Sequence, residues 1–313
     1  MQAARIHAFG PPDVIRIEDI NLPEFRDGDL LVRVFASGIN PIEWKIRSGA
    51  MTQALQRPLP VTLGWECAGI VEAVGTGVTS FEVGDAVFAY PEFARGGTHA
   101  GYVAIAADQA AAKPAKLNFT AAAAVPMTAQ AAWTAIEMAG LAAGQRVLIH
   151  GAAGAVGHWL VQLANSKGAA VVGTASGEGL QRIVALGVDA AVDYRTDKFE
   201  NHGIFDVIFD LVGGETQERS WAVLGEGGRL VSTVSPPAPE RGDKNGSFVF
   251  TPPRGDVLAQ IAAMIDTGAL TSLPVDRCIG LADLPLVHAD AERGALGGKV
   301  IINIDTPKEK LND

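Results

Sequence analysis

The alternation of apolar and polar positions separates a strand-rich first part of the chain from a second part in which strands and helices alternate. In the second part, short apolar runs typical of strands buried on both faces recur between stretches with helical spacing. Helices are predicted from Val156 to Gly168 and over 180–186. The predicted strands cover residues 147–149, 170–174, 191–194, 205–212 and 229–234. This order predicts an α/β fold with a doubly wound parallel sheet.

Residues 1–120 are rich in short strands and turns. Turn signals such as Asp27-Gly28 and Gly84-Asp85 separate the apolar runs in this part. These runs cover residues 30–35, 68–74 and 86–89. Their spacing predicts an antiparallel, partly barrel-like β unit.

Three further segments flank the predicted parallel sheet. An alanine-rich segment from Thr120 predicts two helical pieces broken near Pro126, because proline interrupts a helix. Residues 235–247 are polar and rich in proline and glycine, which predicts a loop. A helix over 257–265 and a strand over 299–304 are predicted to follow.

A turn of small residues joins the first strand of the parallel sheet to its helix. It reads Gly151-Ala152-Ala153-Gly154-Ala155-Val156-Gly157, with Ala152 where the strict dinucleotide fingerprint has its first glycine. Small residues let the backbone approach a pyrophosphate, whose charge meets the unpaired N–H groups and positive end of the helix. The alternative is a tight strand–helix turn that binds nothing.

Composition and charge exclude several classes of protein. The chain has 313 residues, 48% of them hydrophobic, and is long enough for two domains or one large one with ample core. Its net charge of −10 argues against a nucleic-acid partner. No apolar run is long enough to span a membrane, the first residues lack a signal-peptide pattern, and two cysteines imply no disulfide framework. We therefore expect a cytoplasmic protein without a membrane partner.

With these residues laid out, the whole chain resembles the medium-chain dehydrogenase/reductase superfamily, in its zinc-free quinone oxidoreductase and enone reductase branch. The stretches that carry the resemblance include DLLVRVFASGINPIEWKIRSG, GWECAGIVEAVGTGV, FEVGDAVFAY, VLIHGAAGAVGHWLVQLA, FDVIFDLVGG and GGKVIINI. The resemblance implies a GroES-like catalytic domain formed by residues 1–121 and 253–313, with a Rossmann dinucleotide-binding domain over 122–252. It also implies a homodimer.

The resemblance implies NADP(H) as the cofactor. An NAD-preferring site has an acidic residue about 20 positions after the first glycine, where it binds the ribose hydroxyls. Here the first acid after Gly151 is Glu178, and Ser176 stands in the place of that acid. By resemblance, a 2′-phosphate is expected to meet Ser176, Arg182, Tyr194 and Arg195. The other cofactor-binding residues implied are Pro41, Thr128, Gly151, Ala152, Ala153, Gly154, Ala155, Val156, Gly157, Thr174, Val212, Val234, Ser235, Phe250 and Lys299.

Metal ligands are missing where zinc-using relatives have them. At the matching positions this chain carries Asn40 and Trp65, and neither side chain is a credible zinc ligand. We therefore expect no metal. Without a Lewis acid, hydrogen-bond donors must polarise a substrate carbonyl, and Asn40 and Lys45 are the nearest candidate catalytic residues. An ordinary exposed lysine is the alternative for Lys45, and solvent remains an alternative proton donor.

These inferences predict a zinc-independent, NADPH-dependent oxidoreductase. It would transfer hydride to a small electrophile, either a quinone or an α,β-unsaturated carbonyl compound. The alternatives are a zinc-free alcohol dehydrogenase, an enoyl-thioester reductase, or an NADPH-binding protein with little turnover. Fold-level likeness does not choose among them, because one fold serves many reactions.

Overall fold

The computed structural model describes residues 1–55 and 58–304. The chain folds into two compact units, one formed by Met1–Met127 with the chain from Pro252 onward and the other by Thr128–Thr251. The domain limits expected from the sequence, after residues 121 and 252, stay a prediction. No helix within the described residues has the length and apolar character needed to cross a bilayer.

The elements are numbered in chain order. The strands are β1 (Gln2–Ile6), β2 (Ile15–Asp19), β3 (Asp29–Gly38), β4 (Val61–Thr62), β5 (Cys67–Val74), β6 (Ala86–Ala89), β7 (Tyr102–Ala106), β8 (Ala110–Ala112), β9 (Arg146–Ile149), β10 (Ala170–Ala175), β11 (Ala190–Asp193), β12 (Phe205–Asp210), β13 (Leu224–Ser232), β14 (Glu240–Arg241), β15 (Lys244–Phe248), β16 (Val275–Ile279) and β17 (Lys299–Asn303). The helices are α1 (Pro41–Ser48), α2 (Thr52–Leu55), α3 (Phe119–Ala122), α4 (Pro126–Ala139), α5 (Ala155–Ser166), α6 (Glu178–Ala185), α7 (Gly214–Ser220), α8 (Gly255–Thr267) and α9 (Leu284–Glu292).

The first unit is built mainly from antiparallel strands, as the turn-rich pattern of residues 1–120 predicts. Its larger sheet has the order β16-β17-β3-β5-β6-β8, with β7 also paired to β3, and a smaller sheet has the order β2-β1-β4. Only the pair β16–β17 is parallel among the strand pairs described in this unit. The core between these elements includes the fully buried side chains of Leu30, Ile46 and Trp65. Helix α1, which follows β3 directly, was not predicted.

The second unit contains the doubly wound parallel sheet expected from the sequence. Its strand order is β11-β10-β9-β12-β13-β15-β14. Apart from the short β14, the strands run parallel and follow the order 3-2-1-4-5-6 along the unit, which is that of the Rossmann fold. Helix α5 begins at Ala155 and ends before Gly168, as predicted. The sheet brings the carboxyl ends of its parallel strands to one edge.

The prediction of a loop over residues 235–247 is wrong in its second half. Strands β14 and β15 form there, and β15 adds to the parallel sheet by pairing with β13. The segment Lys244–Phe248 has little of the apolar alternation by which strands are recognised. Its backbone nevertheless pairs in register with a buried neighbour, Leu230 facing Gly246 and Val231 facing Ser247. Tertiary pairing therefore decides the conformation of this segment.

Candidate active site

The predicted site residues fall into two groups, one in each unit, and each group is described by itself. In the second unit, strand register gathers the predicted cofactor residues at the carboxyl ends of β9 to β12. Ile149 is paired with Gly173 and Phe209, and Ala175 is paired with Asp193. The turns that follow these strands therefore lie side by side. This edge is where open α/β sheets bind their ligands.

The turn after β9 is closed by the Gly154 N–H, which donates to the Gly151 carbonyl oxygen at 2.9 Å, and by a bond to the neighbouring strand β10. Gly151 adopts a φ of +68°, and its N–H donates to Thr174 Oγ1 at 3.2 Å. A Cβ at Gly157 would lie 2.5 Å from the Gly151 carbonyl oxygen and 2.6 Å from the α-carbon of Ala152. Glycine is required at 157 because helix α5 packs directly against the turn.

Gly154 is different, since its conformation does not require glycine and a Cβ there would need its neighbour to move by only a few tenths of an ångström. Its φ of −76° and ψ of 174° are open to any residue, and a Cβ would lie 3.2 Å from its nearest neighbour, the Gly151 carbonyl oxygen. Gly154 caps α5 without a side-chain hydrogen bond, and the first-turn N–H groups of Ala155 and Val156 have no acceptor inside the helix. The positive end of the helix dipole lies at the same place. The cradle therefore fits a pyrophosphate.

A polar group lies beside this turn, after β10 and β11. Ser176 Oγ donates to Tyr194 Oη at 2.8 Å, so the structure brings together two residues that are distant in sequence. Arg182, on α6, and Arg195, next to Tyr194 in the chain, are both exposed, and neither pairs with a carboxylate among the described residues. Two hydroxyls and two unpaired guanidinium groups form a suitable set of donors for a phosphate.

Apolar side chains stand exposed along the same edge. Val212 is 50%, Val234 40% and Phe250 66% exposed. Large apolar side chains exposed together mark a surface that a ligand covers. The positions of these three residues agree with the predicted contacts to a cofactor. Those contacts remain a proposal.

Several other predicted cofactor residues turn their polar atoms toward the protein. Thr128 Oγ1 accepts from Trp159 Nε1 at 3.0 Å, and Thr174 holds the Gly151 turn from beneath. The carbonyl oxygen and Oγ of Ser235 accept from the Gln217 side chain at 3.0 and 3.2 Å. Ala152 is fully buried and Ala153 half-buried, and Pro41 lies exposed at the start of α1.

Asp210, at the end of β12, is a site residue that the sequence reasoning missed. Its carboxylate is fully buried and accepts the N–H groups of Val212 and Gly213 at 3.0 and 2.8 Å. Its second oxygen accepts from Gln217 and Ser232, each at 2.9 Å. Four bonds compensate the buried charge and fix the turn that carries Val212. An acid at the end of a buried apolar run, as in FDVIFD, is the signal that would have found it.

In the first unit, Asn40 is held at both atoms of its amide. Asn40 Nδ2 donates to Glu66 Oε1 at 2.7 Å, and Asn40 Oδ1 accepts from Lys299 Nζ at 2.7 Å. Lys299 Nζ also donates to Glu66 Oε1 and to the Ile39 carbonyl oxygen, and Glu66 Oε2 accepts from the Met127 N–H. A Cβ at Gly38 would overlap the Glu66 carboxylate, so glycine makes room for this network.

The expected role of Lys299 as a cofactor contact stays a prediction, and the side-chain contacts that the structure shows for it are to protein groups. Its ammonium is buried and uses all three of its N–H groups on protein oxygens. Asn40 retains one N–H beyond the network, so its role as a donor toward substrate stays a proposal. Lys45 lies half-buried on α1, with Nζ 5.9 Å from the Trp44 ring centroid and no carboxylate partner among the described residues.

The donor set around Asn40 does not fit a zinc ion. Lys299 already places a positive charge on Asn40 and Glu66, and a second cation there would be repelled. The Trp65 side chain is buried without a group that binds zinc, and burial raises the pKa of the neighbouring Cys67 thiol. Across residues 1–55 and 58–304, no three His, Cys, Asp or Glu side chains are grouped closely enough to hold a metal ion.

We expect purified protein to contain no stoichiometric zinc and to keep its activity in a strong chelator. The reason is the ammonium among the oxygens of Asn40 and Glu66, together with Trp65 in place of a ligand. Elemental analysis and activity before and after chelation test this. One tightly held zinc per chain, with activity lost on its removal, would contradict it.

Comparison with known proteins gives consistent matches over both units. Residues 26–115 match the family model described as alcohol dehydrogenase GroES-like domain, and residues 186–302 match the one described as zinc-binding dehydrogenase. A 2-methylene-furan-3-one reductase of Solanum lycopersicum is 32% identical over 97% of this chain and 79% of that protein. A chloroplastic NADPH-dependent alkenal/one oxidoreductase of Arabidopsis thaliana is 33% identical over 83% of this chain and 68% of its own length.

Solved structures agree with these sequence matches. The quinone oxidoreductase of Coxiella burnetii superposes with a TM-score of 0.88 at 29% identity, over 97% of this chain and 99% of that one. The word zinc in one family description does not decide metal content here, because the side chains around Asn40 do not supply a ligand set.

Proposed function

Because this chain belongs to the medium-chain dehydrogenase/reductase superfamily, in its quinone oxidoreductase and enone reductase branch, we propose that it is an NADPH-dependent reductase of quinones or α,β-unsaturated carbonyl compounds. The observation that carries the proposal is the sheet edge of the second unit. There the Gly154 turn lies next to the Ser176–Tyr194 pair and two unpaired arginines. This edge offers donors for a pyrophosphate and for a further phosphate.

Each part of this edge has a separate task. The first-turn N–H groups of α5 bind the pyrophosphate, and Gly154 lets it approach the backbone. Ser176, Tyr194 and the guanidinium groups of Arg182 and Arg195 bind the 2′-phosphate of the ribose. Asp210 keeps the turn that carries Val212 in place. When bound, NADPH supplies the hydride.

The side chains around Asn40 do not form a zinc site, so the substrate must be one that accepts hydride without a metal ion. An electron-poor C=C bond or a quinone accepts hydride without a metal, provided that the negative charge developing on its oxygen meets hydrogen-bond donors. The remaining N–H of Asn40 and the ammonium of Lys45 are the proposed donors. A saturated ketone demands stronger polarisation, so an alcohol dehydrogenase activity is the less favoured alternative.

The experiment that tests the function is steady-state NADPH oxidation with a small enone, a quinone, a saturated ketone and an enoyl thioester. We expect turnover with the enone or the quinone and much less with the ketone. Turnover mainly with the ketone or the thioester would favour one of the alternative enzymes. Tight NADPH binding without turnover of any of the four would favour an NADPH-binding protein with little turnover.

We expect NADPH to bind at least tenfold more tightly than NADH. Charge-assisted hydrogen bonds contribute about 1.5–3 kcal/mol each, and a factor of ten corresponds to about 1.4 kcal/mol. Fluorescence titration of both cofactors measures the ratio. Arg182→Ala should weaken NADPH binding and leave NADH binding unchanged, which makes NADH the internal control. Equal affinities in the wild-type protein would show that the Ser176–Tyr194 pair does not bind a phosphate.

Two expectations from the sequence, a homodimer and a cytoplasmic location, remain predictions. The proposed reduction of a small-molecule electrophile depends on neither of them. Sedimentation of the purified protein measures the first, and fractionation of the source cells measures the second. A monomer in sedimentation would contradict the homodimer, whereas the proposed activity would be unaffected.

A further inference from the structure

The network around Asn40 contains two buried carboxylates and one ammonium. The side chains of Glu43 and Glu66 are both fully buried, and Lys299 is 5% exposed. Lys299 Nζ contacts Glu66, Asn40 and the Ile39 carbonyl oxygen, and none of its three N–H groups is left for Glu43. The two acids are therefore not equivalent, since Glu66 accepts a hydrogen bond from the ammonium of Lys299 and Glu43 does not.

Glu43 makes one hydrogen bond through one of its oxygens. Glu43 Oε2 accepts the backbone N–H of Asn40 at 2.7 Å, which closes the first turn of α1. The other oxygen, Oε1, is buried and has no hydrogen-bond partner among the described residues. An ionised carboxylate with a bare oxygen in the interior carries a large desolvation cost, whereas a neutral carboxyl group carries a small one. The geometry therefore favours a proton on Glu43.

Burial outweighs the effect of the nearest ammonium on Glu43. Burial raises the pKa of Glu43 to about 8, with Glu66 adding to the rise and Lys299 opposing it. Tyr90, at the end of β6, is also buried near both acids, and its own pKa is raised, so its phenol stays neutral. Arg47, on the same helix, is turned away and pairs with Glu292 at 2.7 Å. Within the described part of the chain, no second cation is thus directed at Glu43.

We infer that Glu43 is a positioning residue that works in its neutral, protonated form, holding the Asn40 segment while Lys299 stays on Glu66 and Asn40. Loss of the proton would place a second negative charge beside Glu66 and draw Lys299 away from Asn40 Oδ1. The amide of Asn40 would then lose one of the two bonds that orient it. Insofar as Asn40 faces the substrate, which rests on the proposed function, the enzyme loses activity at alkaline pH.

The deciding variant is Glu43→Gln, because a glutamine has the shape of a neutral glutamic acid and cannot lose the proton. In the wild-type enzyme, kcat/KM at saturating NADPH should fall about tenfold per pH unit above about pH 8, as for loss of one essential proton. In Glu43→Gln the fall should be absent up to pH 9, with near-wild-type activity at pH 7. Glu24→Gln, an exposed acid of the same unit, is the matched control and should keep the wild-type profile. Identical profiles in wild type and Glu43→Gln would overturn the inference.

Thermal unfolding provides a readout that needs no activity. Between the ordinary glutamate pKa of 4.5 and about 8, the folded protein holds a proton on Glu43 that the unfolded chain has released. Its stabilising contribution is complete below pH 4.5 and is lost as pH rises through 8. The Tm of Glu43→Gln minus that of wild type should therefore increase from pH 5 to pH 9. A constant difference would overturn the inference, even if none of the proposed substrates is turned over.

A second variant covers the case in which Glu43→Gln does not fold. In Glu66→Gln, the competing carboxylate is removed, so Lys299 is free to pair with an ionised Glu43. The alkaline loss of Tm should then disappear in this variant as well, whereas kcat/KM should be low over the whole range from pH 7 to pH 9, because Lys299 is drawn away from Asn40. Retention of the wild-type pH dependence in Glu66→Gln would contradict the assignment of the proton to Glu43.

Discussion

The variant Gly154→Val should lose at least a hundredfold in NADPH affinity while unfolding within a few degrees of the wild-type temperature. Position 154 has a backbone conformation that valine adopts readily, and a Cβ there would lie 3.2 Å from its nearest protein atom. The fold therefore tolerates the side chain with a small adjustment. The pyrophosphate does not, because the branched side chain stands where it must approach the N–H groups of α5. Loss of two charge-assisted bonds, about 1.5–3 kcal/mol each, exceeds the roughly 2.7 kcal/mol that a hundredfold requires.

A neighbouring glycine supplies the contrast for this experiment. In Gly157→Ala the new Cβ would lie 2.5 Å from the Gly151 carbonyl oxygen, so helix and turn must move apart. This variant should lose stability, and cofactor binding should fall as a consequence. Fluorescence titration with NADPH, beside thermal unfolding of both variants, separates the two effects. Normal NADPH binding by Gly154→Val would show that this turn is not the pyrophosphate site.

Removing the Asn40 amide should slow hydride transfer about a hundredfold or more at saturating NADPH. Loss of one preorganised donor to a developing oxyanion costs about 2.7–4 kcal/mol of transition-state stabilisation. Asn40→Ala also takes a bond from Glu66 Oε1 and from Lys299 Nζ, so a stability loss of about 1–3 kcal/mol should accompany it. Single-turnover kinetics at saturating cofactor isolate the chemical step from both binding and stability.

Lys45→Ala is the matched variant on the same helix. Its ammonium has no carboxylate partner among the described residues, so the protein should fold normally without it. We expect weaker NADPH binding with a small change in the single-turnover rate. Unaltered rates in both variants would remove Asn40 and Lys45 from the proposed chemistry and leave an enzyme that works by positioning alone.

The parts of the fold that local pattern decides could be predicted from the sequence. Strand β6 matches its predicted range, and the parallel sheet with helix α5 is confirmed, because apolar runs and glycines determine those elements over a few residues. Helix α1 was missed although its signals are present. Asn40 precedes Pro41 at the first helical position, Glu43 stands three residues after Asn40, and Gly49 ends the helix with a φ of +93°.

The glycine turn of the candidate site could be predicted from the sequence, whereas the network around Asn40 could not. The glycine turn is one contiguous motif, so its position follows from the pattern. The network around Asn40 joins residues far apart in the chain, with Glu66 26 positions after Asn40 and Lys299 233 positions after Glu66. No periodicity links such positions, and their polar character alone would have placed them at the surface. Only the folded sheet shows that Lys299 is occupied by protein oxygens.

Strand β17, between β16 and β3, has a consequence for how the protein is made on the ribosome. The second unit is one continuous stretch that is complete at Thr251, whereas the first unit needs a strand that begins at Lys299. Until that strand emerges, Glu66 has no ammonium and the end of β3 near Ser37 is paired only with β5, with its other edge open. Open strand edges invite pairing with other nascent chains. The emergence of β17 therefore removes this open edge of the first unit and ends its exposure to pairing with other chains.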